Sequence, residues 1–192
     1  MARFLAEYRN NPMKNIITKI ALMICLIVFA AALAGCGDKN DPYAPPTGMT
    51  DATDEKADFH LYVPDKWTVD YSTAAAGAYF SAADPSSVSA MAWELEYTDQ
   101  TVDDWWNTNV EEVSSVFQNF NLESEENITL SDVYGKKYTY TATLGSYDYK
   151  IMQAACVKNS TVYLFTYTSL PDNFDEHTGD VDLMLEHFTI KD

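Results

Sequence analysis

From Phe59 onward, apolar and polar residues alternate in short runs separated by turn signals, and that period of two predicts a chain rich in strands. Residues 59–63 form a first apolar run closed by Pro64 and Asp65, and residues 67–72 and 78–83 follow before a turn at Asp84, Pro85 and Ser86. The longer run 87–97 places Met91, Trp93, Leu95 and Tyr97 on one face of a strand and Val88, Ala90 and Ala92 on the other. Residues 128–133 and 137–144 flank a hairpin signal at Tyr134, Gly135 and Lys136, and 147–157 and 161–169 flank another at Lys158, Asn159 and Ser160. The period changes over residues 102–120. There Val102, Trp105, Trp106, Val110, Val113, Val116, Phe117 and Phe120 share an arc of roughly 140°, which predicts one amphipathic helix. Asp103 and Asp104 suit the positive end of its dipole. After Asp180, the spacing of Val181, Met184, Leu185 and Phe188 predicts a second helix, with Thr189 and Ile190 as a last extended piece.

The strand at 161–169 is apolar on both faces, with Val162 and Leu164 alternating against Tyr163, Phe165 and Tyr167. A sheet covered on one side only would carry polar residues at alternate positions. Burial on both sides, with two helices separated by hairpins, predicts an α+β fold: a three-layer α/β/α sandwich with a central antiparallel sheet. The predicted globular domain spans residues 58–192, enough for one core and too few for two. Ahead of it, residues 36–57 hold Pro42, Pro45, Pro46, Gly48 and repeated Asp, the composition of an acidic tether. As a flexible coil it would reach roughly 25 Å.

Residues 20–34 carry no charge and follow Lys14 and Lys19. That run has the length of a signal-peptide core and falls short of the ~20 residues a spanning helix needs, which leaves an uncleaved anchor as the other reading. Met13 followed by Lys14 reads as the initiator, so residues 1–12 are expected to come from an upstream start. The run ends at Leu33, Ala34, Gly35 and Cys36, which resembles the lipobox of bacterial lipoproteins. In that family the leader, here residues 1–35, is removed just before the cysteine and the thiol takes a diacylglyceryl group. The resemblance implies lipidation of Cys36 and attachment to the extracytoplasmic face of the cell membrane. One acyl chain holds a protein only reversibly, at ~0.8 kcal/mol per buried CH₂, whereas two make the anchor durable.

The formal charge is −17, and loss of the leader would remove four of the 12 basic residues, including both arginines, and one of the 29 acidic ones. So acidic a surface excludes binding to nucleic acid and to anionic head groups, both of which need Lys or Arg to neutralise phosphate. It also keeps the domain soluble. Cys25 is one more apolar residue of the leader. With Cys36 acylated, Cys156 has no partner for a disulfide, and its apolar strand context predicts a buried, inert thiol.

Candidate chemistry is sparse. No His-x₃-His, His-Glu-x-x-His or Cys-x-x-Cys spacing occurs among the three histidines and three cysteines, so no zinc site and no cofactor is expected. Asp172, Asp175, His177 and Asp180 are the metal candidates; they do not follow the EF-hand register, and calcium would bind them only at millimolar concentration. His60 falls in the first strand, and His187 in the last helical turn suits the negative end of the dipole. Glu94 and Glu96 lie near one another on a strand, the minimum for a carboxylate-pair hydrolase, but no Gly-x-Ser-x-Gly or phosphate-binding glycine loop is present. Among the aromatic residues Trp105 and Trp106 read as core, while Tyr138, Tyr140, Tyr147 and Tyr149 read as a half-exposed ladder and the expected binding face.

The segment Phe59-x-Leu61-Tyr62-Val63-Pro64-Asp65-x-Trp67, the order of elements after it and the closing His187-Phe188 together resemble PsbP-like domains, a superfamily that includes the DcrB-type proteins. The resemblance implies a helix-covered antiparallel sheet used as a non-enzymatic accessory or binding module beside membranes. The expectation is therefore a lipid-anchored extracytoplasmic binding module for an envelope protein or ligand. A carboxylate-pair envelope hydrolase or a weak divalent-cation binder are the alternatives.

Overall fold

The computed structural model describes residues 41–72 and 74–192. The leader, Cys25, Cys36 and the start of the expected tether lie outside the described residues. Among the described residues no helix is long and apolar enough to cross a membrane.

The elements run β1 (Met49–Asp51), β2 (Phe59–His60), β3 (Tyr62–Pro64), β4 (Thr68–Val69), β5 (Ala76–Tyr79), β6 (Ser87–Glu94), α1 (Val102–Val116), β7 (Gln118–Leu130), β8 (Val133–Leu144), β9 (Tyr147–Lys158) and β10 (Thr161–Ser169). The chain ends with α2 (Pro171–Phe174), a 3-10 turn (Asp175–His177), α3 (Thr178–His187) and β11 (Thr189–Ile190). Seven strands form one antiparallel sheet in the order β4-β5-β6-β10-β9-β8-β7, with β1 paired to β3 and β11 to β2 in two small ribbons beside it.

β10 shows why the layers form. Tyr163, Phe165 and Tyr167 bury on one face with Met152, Ala154 and Cys156 of β9, beneath Phe174, Val181, Met184 and Phe188 of the C-terminal helices and Phe59, Leu61 and Val63 of the N-terminal ribbons. Val162 and Leu164 bury on the other face with Tyr138, Tyr140, Ile151 and Ala155, beneath Val102, Trp105 and Trp106 of α1. The chain is an α+β sandwich around a seven-stranded antiparallel sheet, as expected.

Several boundaries move, each for a local reason. The segment expected as tether is docked from Tyr43 on: Tyr43 stacks on His60 and its carbonyl accepts from the Tyr62 hydroxyl, β1 pairs with β3, Ala52 is fully buried, and the Ala52 carbonyl accepts from the Gly77 amide. The first strand divides after His60, because its two halves pair with different partners. The first helix ends at Val116; Phe117 is extended, and the left-handed Asn119 sits in a register shift where β7 begins. Phe117 and Phe120 still pack into the α1 core, so their helical spacing in the sequence misled about conformation, not about burial.

The first hairpin turns at Ser131 and Asp132, both at positive φ, rather than at Tyr134–Lys136. Gly135 lies inside β8 opposite Cys156, where a Cβ would run into the carbonyl oxygen of Ala155. That glycine permits close backbone approach rather than a turn. Gly135→Ala is expected to cost about 1–3 kcal/mol through overpacking, read as a lower denaturant midpoint; an unchanged midpoint would mean β9 moves aside freely.

Candidate functional site

Thr101 begins α1 with a capping box: its hydroxyl accepts from the Asp104 amide at 3.2 Å, and the Asp104 carboxylate accepts from the Thr101 amide at 2.9 Å. A second tie fixes the helix over the sheet, because the Lys136 ammonium of β8 sits 3.1 Å from Asp103 and 2.7 Å from Glu125 of β7. So placed, Trp106 stacks on Tyr138 with centroids 3.5 Å apart and planes 8° from parallel.

This arrangement corrects the expected tyrosine face. Tyr138 and Tyr140 are fully buried beneath α1, and burial pushes both hydroxyls above the usual tyrosine range. They belong to the sheet face that the helix covers, so they offer nothing to a partner. Tyr147 is exposed at the turn between β8 and β9, and Tyr149 is half-buried against the α1 core.

The metal candidates do not converge either. Asp172 and Asp175 are exposed, while the Asp180 carboxylate accepts from the Trp67 indole at 2.9 Å and pairs with Lys66 at 2.9 Å. His177 is buried, and its Nε2 lies 2.7 Å from Oδ2 of Asp84, in the turn before β6. Asp84 also accepts from the Ser86 amide and hydroxyl. Burial would raise the Asp84 carboxyl, but hydrogen bonds from His177, Ser86 and Asn173 outweigh it and hold the group far below the usual carboxylate range. Glu176 joins this pair, and the three side chains each bring one ligand atom within 4.8 Å of the others. They are the described residues that could hold an ion, although Asp84 is already engaged by its neighbours. Cys156 is buried, and burial pushes its thiol up to about 12, so it offers no thiolate nucleophile.

An open groove lies beside α1. The helix covers β8 to β10 but leaves the same face of β6 uncovered, where Met91 is 43% and Trp93 38% exposed. Trp93 meets the buried Trp105 edge to face, with centroids 6.1 Å apart. Beyond this pair the end of β6 and the flank of α1 enclose about 250 Å³, lined by Trp93, Trp105, Glu94, Glu96, Asn109 and Glu112 among others. The carboxylate pair considered for hydrolysis, Glu94 and Glu96, is therefore here. Both are exposed, as is Glu112. A glycosidase holds its acid in an apolar pocket, whereas these three carboxylates face solvent.

No protein-family model matches the sequence, and no curated protein matches it. Solved structures do match. The solution structure of cyanobacterial PsbP (CyanoP) from Synechocystis sp. PCC 6803 aligns with a TM-score of 0.55 and 14% identity, over 82% of this chain and 98% of that one. The crystal structure of LpqN, involved in cell envelope biogenesis of Mycobacterium tuberculosis, aligns with a TM-score of 0.54 and 15% identity, over 75% of this chain and 91% of that one.

The fold is PsbP-like. Trp67, which carried that resemblance in the sequence, is buried in this PsbP-like fold and ties the N-terminal ribbons to α3 through Asp180. The groove residues were only half legible. Trp105, Thr108, Asn109 and Glu112 follow helical spacing along one flank of α1, a signal present in the sequence. Their convergence with the end of β6 depends on where the helix lies across the sheet.

Proposed function

We propose that this chain is a lipid-anchored, extracytoplasmic binding module of the bacterial envelope, without catalysis of its own. The observation that carries the binding role is the uncovered groove at the end of β6, where exposed indole and carboxylate groups meet and no desolvated acid or activated nucleophile accompanies them. The anchor rests on the sequence ending its apolar run at Cys36. LpqN, which shares the fold, is described as acting in envelope biogenesis, and that is compatible with the location proposed.

A diacylglyceryl anchor would hold an acidic body near a membrane whose surface repels it, and the few residues between Cys36 and Tyr43 would set the spacing. Mass spectrometry of protein extracted from membranes is expected to find a chain beginning at acylated Cys36. Cys36→Ala is expected to lose that species and the membrane-bound pool of processed protein. An unmodified Cys36, or a leader still attached in the wild type, would overturn the anchor.

A further inference from the structure

We propose that the groove between the end of β6 and α1 takes a lysine-bearing segment of another protein; this rests on reading the chain as a binding module and names its ligand class. The first ground is charge. Glu94, Glu96 and Glu112 line the groove, no lysine does, and none of the three has an ion-pair partner among the described residues. Five of the seven lysines among the described residues are committed elsewhere: Lys136, Lys137 and Lys150 to glutamates of β7, Lys66 to Asp180, and Lys158 to Asp192. In a chain of net charge −17 these carboxylates focus a negative potential on a low-dielectric wall, and the complement is a cation.

The second ground is the wall itself. Exposed Trp93, backed by Trp105, offers an indole to an ammonium, and Met91 extends apolar surface along β6 for an aliphatic stem. The third is Asn109, whose Nδ2 is buried with no hydrogen-bond partner among the described residues. Turned into the groove that Asn109 lines, this donor would find an acceptor in the carbonyl of an incoming peptide beside the lysine.

Size and geometry exclude two other cationic ligands. About 250 Å³ is below the range of ~300–1,000 Å³ typical of small-molecule sites, and fits one or two side chains. A metal ion requires converging ligand atoms, and among the described residues only Asp84, Glu176 and His177 converge in that way.

The test uses the full-length protein in detergent and two dye-labelled pentapeptides, one with alternating lysine and alanine and one with the same lysines acetylated, followed by fluorescence anisotropy at low salt. The lysine peptide should bind and the acetylated one should not. Combined Glu94→Gln, Glu96→Gln and Glu112→Gln should weaken binding about tenfold or more, since each exposed charge contributes modestly. Trp93→Ala should weaken it severalfold while leaving the melting transition in place. Combined Asp132→Asn, Asp172→Asn and Asp175→Asn, at exposed acids outside the groove, should leave affinity unchanged apart from general screening. Equal weakening by the two triple variants, equal binding of the acetylated peptide, or no binding would each overturn the assignment. Binding of chitotetraose that Trp93→Ala abolishes, without binding of the lysine peptide, would overturn the lysine assignment and leave the binding module standing. Failure of both probes would count against the module as well.

Discussion

Trp106→Ala is expected to destabilise the domain by about 3–5 kcal/mol, the range for deleting a large buried aromatic side chain, and to lower the melting temperature by on the order of 10 °C. Trp106 is buried and lies flat on Tyr138, while Trp105 leans against it from the next position of α1. The helix makes its main apolar contact with β8 to β10 through these rings and Val102. Their loss would open a cavity above Ala155, whose small side chain cannot fill it. It would also give the Tyr138 hydroxyl, buried without a hydrogen-bond partner among the described residues, a path to water, which offsets part of the cost. Trp106→Phe keeps a ring over Tyr138 and is expected to lose less than half as much. Urea denaturation of both variants checks the pair, and a neutral Trp106→Ala would mean that α1 is not held by this stack.

The layered fold was legible because β10 announces itself: apolar residues on both faces of one strand require cover on both sides. The C-terminal helix was legible for the matching reason, since Val181 and Met184 repeat at helical spacing and both bury. β7 was illegible over its first half. Along Gln118–Leu130 nine of the 13 residues are exposed, and its conformation comes from backbone pairing with β8, which leaves no period of two in the side chains. Its glutamates do carry a signal of another kind: Glu123, Glu125 and Glu126 match Lys150, Lys136 and Lys137, and charged residues with register shifts guard an outer strand against pairing with other chains. The tyrosine ladder failed because alternation shows which residues share a face, not which face a helix covers. Tyr138 and Tyr140 share a face with Lys136, and α1 happens to close over it. His177 was singled out with the wrong company. Its partner is 93 residues away in the chain, a distance at which spacing carries no information.

That partner gives the second large effect. Asp84→Ala is expected to cost about 3–5 kcal/mol at pH 7, because it strips a buried His177 of the group facing its Nε2 and frees the Ser86 amide and hydroxyl together. Phe80 and Trp67 pack against the His177 ring, with centroids 4.2 and 5.5 Å away, so the imidazole cannot easily turn to water for a replacement. Ser86 also meets Ser169 of β10 at 2.7 Å, which extends the disturbance into the sheet. The pH dependence has a definite sign. The folded state holds the Asp84 carboxyl below its ordinary range, so the unfolded chain binds its proton first as the solution is acidified. The stabilisation is therefore fully present above the unfolded value of about 3.9 and is lost as pH falls below it toward the folded-state value. Denaturant titrations of wild type and Asp84→Ala are expected to differ at pH 7 and to converge as the pH falls below about 4. Asp84→Asn retains an acceptor for Ser86 but not the charge, and should fall between the two at neutral pH. A gap between wild type and Asp84→Ala that is as wide at pH 3 as at pH 7 would show that the side chain acts by packing, and that its ionisation contributes nothing to holding the C-terminal helices on the sheet.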